Sequence, residues 1–136
     1  MIKAEDCEIF ISARFRGDAN ERKARALYKA LQDLHMKVFM VDAHAGFDFG
    51  DKTVAALCAM KTMVVFACEN YGALTQSCYS AYYELKYAHE NNKHIMPVRL
   101  SQVWPPQPKE DLRGKGGNQN KFMLSQGIAY LDWSNE

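Results

Sequence analysis

The chain has 136 residues and a formal net charge of +1, from 17 Lys+Arg against 16 Asp+Glu, so we expect a single domain over residues 1–136. Its 48% hydrophobic and 24% charged residues exclude a disordered chain, and the near-neutral charge argues against a nucleic-acid-binding protein. The longest apolar run, residues 63–68, is far shorter than the ~20 residues of a membrane span. Because the N-terminus also lacks the apolar segment of a signal peptide, we expect a cytoplasmic protein that binds no membrane.

The first half of the chain alternates between strand and helix patterns. Residues 8–13 (EIFISA) are typical of a first strand, and residues 37–41 (KVFMV) of a second. Between them, Asp18 and Glu21 have the spacing of a capping box. The apolar residues that follow this box recur every three or four positions and predict an amphipathic helix: Ala24, Leu27, Leu31 and Leu34. After loop 42–50 a second helix is expected, with Val54, Leu57 and Cys58 on one face.

The second half continues the alternation. Residues 62–68 (TMVVFAC) are apolar without a period of two, which predicts a central strand covered on both faces. Residues 77–90 predict a third helix and residues 93–99 a fourth strand, which should be near a sheet edge at Pro97 because proline cannot donate a ladder hydrogen bond. The Pro- and Gly-rich stretch 103–117 is interpreted as a long loop, and residues 128–131 as a fifth strand.

This alternation predicts an α/β fold with three layers, in which helices cover both faces of a five-stranded parallel sheet. The natural strand order is the flavodoxin-like 2-1-3-4-5. In that order the chain changes direction between strands one and three, so a crevice opens at their carboxyl ends, and a ligand is expected there. Arg14 and Phe15 follow strand one, and the segment that begins with Ser77 follows strand three.

Metal and redox chemistry have no support in the sequence. The four cysteines include no CxxC pair, and the four histidines form no HxxxH or HExxH group. The cluster Gly-Lys-Gly-Gly at residues 114–117 lacks the spacing of a phosphate-binding P-loop. We therefore expect neither a metal nor a bound cofactor.

Four segments, in the correct order along most of the chain, resemble the Toll/interleukin-1 receptor (TIR) domain family. FISAR at residues 10–14 resembles the first box of the family, commonly Phe-Ile-Ser-Tyr-Arg. VFMVD at residues 38–42, with the glycine-bearing loop after it, resembles the family's strand and BB loop. NKHIMPV at residues 92–98 and GIAYLDW at residues 127–133 are similar to two later strands, and by this similarity Trp133 has a packing role.

The resemblance implies one of two activities, because some TIR domains only scaffold signalling whereas others cleave NAD+. The enzymes carry a glutamate on the helix after strand three, and Glu84 has that position. Loss of nicotinamide leaves an oxocarbenium-like ribose, which a nearby carboxylate stabilises, as in glycoside hydrolysis. NAD+ is then the substrate, and no cofactor is needed. The alternative for Glu84 is an ordinary surface glutamate.

Several residues near the predicted crevice are candidates for substrate binding. Arg14 offers paired donors to oxygen, with a surface salt bridge as its alternative role. Tyr79 and Tyr83 can form a stacking wall or pack in the core, whereas the loop residues Phe15 and Phe49 can stack on a base or pack between subunits. Asp42 can bond ribose hydroxyls or shape a turn. The full set is Arg14, Phe15, Asp42, Phe49, Ser77, Tyr79 and Tyr83. The family often has Trp four residues before the glutamate, where this chain has Ser80.

Similarity to the family also implies self-association through the loop 42–50, from Asp42 to Gly50, which often closes a site shared by two subunits. The expected function is an NAD+ nucleosidase in immune or cell-death signalling that yields nicotinamide and either ADP-ribose or a cyclic isomer. One alternative is a non-enzymatic TIR scaffold that signals by homotypic assembly. Another is an enzyme similar to nucleoside deoxyribosyltransferases, which share the layout and a glutamate nucleophile.

Overall fold

Strands and helices alternate along the chain in the computed structural model, which describes residues 2–13, 19–40, 50–74, 81–109, 111–124 and 129–134. Two 3-10 helices, Ala4–Asp6 and Leu112–Gly114, precede the first strand and the last helix. The other elements, in chain order, are β1 (Ile9–Ser12), α1 (Ala19–Asp33), β2 (Val38–Met40), α2 (Gly50–Ala59), β3 (Thr62–Ala67), α3 (Ala81–Glu90), β4 (His94–Arg99), α4 (Lys115–Leu124) and β5 (Leu131–Asp132).

The five strands form one parallel sheet in the order β2-β1-β3-β4-β5, which confirms the predicted fold class and strand order. In the β1–β3 ladder Ile9 lies opposite Thr62, and Ser12 opposite Val65. Because parallel strands end at the same edge of a sheet, Ser12 and the end of β3 lie at one edge, where the chain changes winding direction. The site described below lies at this edge.

Both faces of β3 are buried, as its unbroken apolar run predicts. Met63 and Val65 pack in a cluster with Phe10 of β1 and Leu85 of α3. On the other face, Val64 and Phe66 pack in a second cluster that includes Ala24 of α1. Full burial of each such side chain stabilises the fold by about 1.5–3 kcal/mol. Helices therefore pack against both faces of the sheet, and this packing fixes the positions of the carboxyl ends of the strands.

The inward faces of the first two helices differ in part from their predicted faces. Leu34 is 69% exposed because α1 ends at Asp33, and the chain then turns through His35, whose φ is +63°. On α2 the buried residues include Thr53 and Ala56, whereas Val54 is 48% exposed and Cys58 is exposed as well. Small side chains face inward on α2 because the helix packs against Ala4 and Cys7 near the N-terminus.

The prediction of a long loop over 103–117 is wrong at its end, since α4 begins at Lys115. The carboxylate of Asp111 makes this start stable: Oδ1 accepts from the Gly116 amide and Oδ2 from the Gly117 amide, both at 2.9 Å. Oδ1 also accepts from the Leu74 amide at 2.9 Å. A side chain thereby satisfies amides that a helix N-terminus leaves without intrahelical partners. The glycines lie within the first turn of a helix and not in a loop.

Strands β4 and β5 form close to the two positions at which the sequence predicts the fourth and fifth strands. The β4–β5 ladder pairs Val98 with Leu131 and Arg99 with Asp132, so among the described residues β4 has no β5 partner at Pro97. Strand β5 lies later than the predicted 128–131, and Ile128 is outside the described residues. The packing role of Trp133 is confirmed, because its ring meets Phe66 edge-on with centroids 5.8 Å apart.

Two neighbouring glycines of α4 provide a matched test of this packing. A Cβ added at Gly116 would collide with the backbone carbonyl oxygen of Gly72, whereas for one added at Gly117 the nearest atoms outside its own helix, Asp111 Oδ2 and Pro108 Cδ, are 3.8 Å away. We expect Gly116→Ala to destabilise the protein by about 1–3 kcal/mol. Gly117→Ala should be neutral or stabilise it by up to about 1 kcal/mol, because alanine favours helix. Urea unfolding of both variants checks this, and equal stabilities would contradict the described packing.

Candidate active site

The carboxyl group of Glu84 is buried at the carboxyl end of the sheet. Glu84 lies in the first turn of α3 and is 5% exposed, so it is not an ordinary surface glutamate. Its Oε1 accepts a hydrogen bond of 2.7 Å from the hydroxyl of Ser12, the last residue of β1. This bond places the carboxyl group where β1 and β3 end, at the edge at which the fold predicts a ligand.

Tyr71 extends this contact into a chain of three polar groups. It is fully buried in the turn after β3, where its amide donates to the carbonyl of Cys68 at 3.1 Å. Its hydroxyl lies 2.6 Å from Ser12 Oγ. Since Ser12 has a single hydroxyl proton and directs it to Glu84, the Tyr71 hydroxyl is the donor to Ser12 Oγ. The chain therefore runs from Tyr71 through Ser12 to Glu84.

Burial dominates the electrostatics of the site. It raises the pKa of Glu84 from 4.5 to about 8, against a smaller lowering by the Ser12 hydrogen bond. Burial, with the nearby Glu84 charge as a second cause, raises the pKa of Tyr71 well above its usual range. The free protein consequently holds Glu84 largely protonated at neutral pH, and a cation within about 4–6 Å would favour its ionised form.

Of the residues predicted to bind substrate, only Tyr83 is described. It is 42% exposed, and its ring meets Tyr82 edge-on with centroids 5.1 Å apart. The structure brings Ser12 and Tyr71 to Glu84 and gives Tyr83 no contact with that chain, so a stacking role for Tyr83 stays a prediction. The predicted site residues that lie outside the described residues, and stay predictions, are Arg14, Phe15, Asp42, Phe49, Ser77 and Tyr79.

Ser12 and Tyr71 are the site residues that sequence reasoning missed. Ser12 belongs to the FISAR string that carries the family resemblance, and its place at the end of a strand was the available signal. Tyr71 lies in a loop after the central strand, and nothing local distinguishes it from a core tyrosine. The partners of these hydrogen bonds are 72 and 59 residues apart in the sequence, so only the folded chain shows them together.

Two further properties concern the described part of the chain. Within those residues, no group of three or more His, Cys, Asp or Glu side chains has an arrangement that could hold a metal ion. None of the described helices has the length and apolar character needed to cross a membrane.

Comparisons with known proteins define the class of fold. The TIR domains in a structure of the activated Roq1 resistosome, which directly recognises the pathogen effector XopQ, superpose on this chain with a TM-score of 0.57. The alignment covers 95% of this chain and 89% of that chain at 18% sequence identity. No protein-family model and no curated protein sequence matches the chain. The chain thus has the fold of a TIR domain, as the sequence resemblance predicted.

The raised pKa of Glu84 makes the stability of the protein depend on pH. A carboxyl group with a pKa of about 8 in the folded chain and near 4.5 in the unfolded chain contributes its full stability below pH 4.5 and loses it as pH rises to 8. We expect the free energy of unfolding of wild type to fall between pH 5 and pH 8 relative to Glu84→Gln. The relative loss should be a few kcal/mol, since one pKa unit corresponds to about 1.4 kcal/mol.

Urea unfolding at several pH values measures this difference. Glu90→Gln is the matched control, because Glu90 lies exposed on the same helix and forms a surface pair with Lys86. The free energy of unfolding of Glu90→Gln should change with pH in the same way as that of the wild-type protein. Parallel curves for wild type and Glu84→Gln would show that Glu84 titrates as an exposed carboxyl group.

Proposed function

We propose that this chain is an NAD+ nucleosidase in which Glu84 is the catalytic carboxylate. The observation that carries the proposal is the buried Glu84 carboxyl group, held by Ser12 at the carboxyl end of the sheet. The TIR fold supports it, because the family that the sequence resembles includes enzymes with a glutamate on this helix. Among the described residues no cation contributes to the pKa of this buried carboxyl group, and burial of such a group is unfavourable for stability, which favours a role in chemistry.

The bond that breaks joins C1′ of the ribose to the nicotinamide nitrogen. Its electron pair goes to that nitrogen, so nicotinamide leaves as a neutral molecule and positive charge develops on the ribose. The Glu84 carboxylate faces this charge and stabilises it, and a water molecule or the adenine of the same NAD+ then forms the new bond to C1′. With water the products are nicotinamide, ADP-ribose and one proton.

The raised pKa of Glu84 fits a role toward a cationic substrate. In the free protein the carboxyl group is largely protonated at pH 7, since burial raises its pKa to about 8. The positive charge of the nicotinamide ring favours the carboxylate when NAD+ binds, and the proton leaves to solvent. The charge on Glu84 then opposes the substrate cation in a site of low dielectric constant, where the interaction is strong.

We also propose that the chain self-associates and acts in immune signalling. The protein of similar fold is the activated Roq1 resistosome, which directly recognises a pathogen effector and contains TIR domains, and this supports assembly as the context of activity. By resemblance to the family, loop 42–50 would form the contact between subunits. Gly50, where α2 begins, is the only residue of that loop that the structure describes.

Purified protein should release nicotinamide from NAD+, with a specific activity that increases with protein concentration. Glu84→Gln keeps the size of the side chain and an acceptor for Ser12 but removes the negative charge, so we expect at least a hundredfold loss of rate. Glu90→Gln should retain the wild-type rate. Product masses measured after incubation with NAD+ give these rates and distinguish linear from cyclic ADP-ribose.

Two further measurements distinguish the NAD+ nucleosidase from a scaffold and from a deoxyribosyltransferase-like enzyme. Sedimentation velocity shows whether the protein assembles over the concentrations assayed. A folded wild type that assembles and leaves NAD+ intact would contradict the enzymatic proposal and favour a scaffold. Exchange of nucleobases between deoxynucleosides, with Glu84→Gln inactive, would instead indicate a deoxyribosyltransferase-like enzyme.

A further inference from the structure

Three polar groups deep in the core form a connected chain whose first two members have no assigned role. Tyr71 is 0% exposed and Ser12 is 1% exposed, so both hydroxyl groups are removed from solvent. The distances are 2.6 Å from Tyr71 to Ser12 and 2.7 Å from Ser12 to Glu84, which are within the range of well-formed hydrogen bonds between oxygens. When Glu84 is ionised, the bond that its carboxylate accepts from the Ser12 hydroxyl is a charge-assisted hydrogen bond.

We propose that Ser12 and Tyr71 are positioning residues for the proposed reaction: the Tyr71 hydroxyl donates to Ser12, and Ser12 in turn donates to Glu84, which fixes the carboxylate in its reactive orientation. This inference rests on the proposed function of Glu84. The two hydroxyls act through Glu84 and are not themselves catalytic, because the Ser12 proton is directed at the carboxyl oxygen and the Tyr71 proton at Ser12.

Among the described residues, the Ser12 hydroxyl is the polar group that hydrogen-bonds to Glu84. Burial and the Ser12 hydrogen bond are the two causes that set the Glu84 pKa among the described residues, and no described cation contributes. From the turn after β3, Tyr71 faces the carboxyl group, and Cys68 lies near Tyr71. Because Tyr71 keeps its proton over the whole physiological range, it acts as a neutral donor and not as a second charge.

The backbone around Tyr71 is fixed by a separate element. Asn120 of α4 is fully buried, and its Nδ2 donates to the Tyr71 carbonyl at 2.9 Å and to the Pro106 carbonyl at 3.0 Å. The next residue, Gly72, has a φ of +81° that favours glycine. These contacts restrain the backbone of Tyr71, and the restrained backbone keeps the Tyr71 hydroxyl directed at Ser12.

The test is a titration of the Glu84 carboxyl carbon by NMR in protein labelled with 13C-glutamate, with the signal assigned from Glu84→Gln. We expect a wild-type midpoint of about 8. Ser12→Ala should raise the midpoint by about one pKa unit, because the carboxylate loses its donor, and Tyr71→Phe should raise it by a smaller amount. Ser12→Thr keeps a hydroxyl in a strand and should restore the wild-type midpoint. Tyr82→Phe, on α3, should leave it unchanged.

The rate of NAD+ cleavage provides the second readout. A rise of one pKa unit lowers the ionised fraction, and with it kcat/KM at pH 7, about tenfold in Ser12→Ala, with recovery in Ser12→Thr. Midpoints in Ser12→Ala and Tyr71→Phe that equal the wild-type value would overturn the positioning proposal. A wild type that does not cleave NAD+ at any pH would instead overturn the proposed function, and the NMR midpoints would still decide whether the chain controls Glu84.

Discussion

The hydrogen bond between Ser12 and Glu84 joins the two parts of the fold on which the proposed site depends. It links the last residue of β1 to the first turn of α3, across 72 residues of sequence. A carboxyl group taken out of water is unfavourable unless a donor or a cation accompanies it. Among the described residues the donor is the hydroxyl of Ser12, and burial keeps the pKa of the carboxyl group high, so the group responds strongly to any cation that comes near.

The rest of the molecule places this bond and keeps it in place. Apolar contacts on both faces of β3 fix the position of this strand, and the parallel register places the carboxyl ends of β1 and β3 side by side. On the far side, α4 supports the turn that carries Tyr71 through Asn120 and through the close approach of Gly116 to Gly72. Asp111 in turn stabilises the start of α4. A sequence of contacts therefore runs from the last helix to the carboxyl group.

The strand order and the place of Glu84 could be predicted because they follow from local patterns and a rule of topology. Residues 62–68 lack a period of two, which indicates a strand buried on both faces, and the sheet order then places the helix after it at the crevice. The resemblance to TIR domains selected Glu84 among the glutamates of the chain. The TIR fold of the structure agrees with that resemblance.

The missed features depend on tertiary contacts. Gly116 and Gly117 disfavour a helix locally. Helix α4 forms because the Asp111 carboxylate accepts hydrogen bonds from both glycine amides and because Gly116 packs closely against the turn at Gly72. The inward face of α2 is set by what packs against it, so Thr53 and Ala56 are buried where larger apolar side chains were expected. Tyr71 has no local signal for its role, and the place of Ser12 at the end of a strand does not reveal its partners, because those partners lie far away in the sequence.

The most direct measurement is the pH dependence of kcat/KM for NAD+ cleavage by the wild-type protein, which reports the ionisation of groups in the free enzyme. If the buried carboxylate is the group that acts on the ribose, kcat/KM rises about tenfold for each pH unit up to about 8 and then levels off. A profile that is flat from pH 6 to pH 9 would contradict the account, because it would show that no group with the raised pKa of Glu84 controls the reaction.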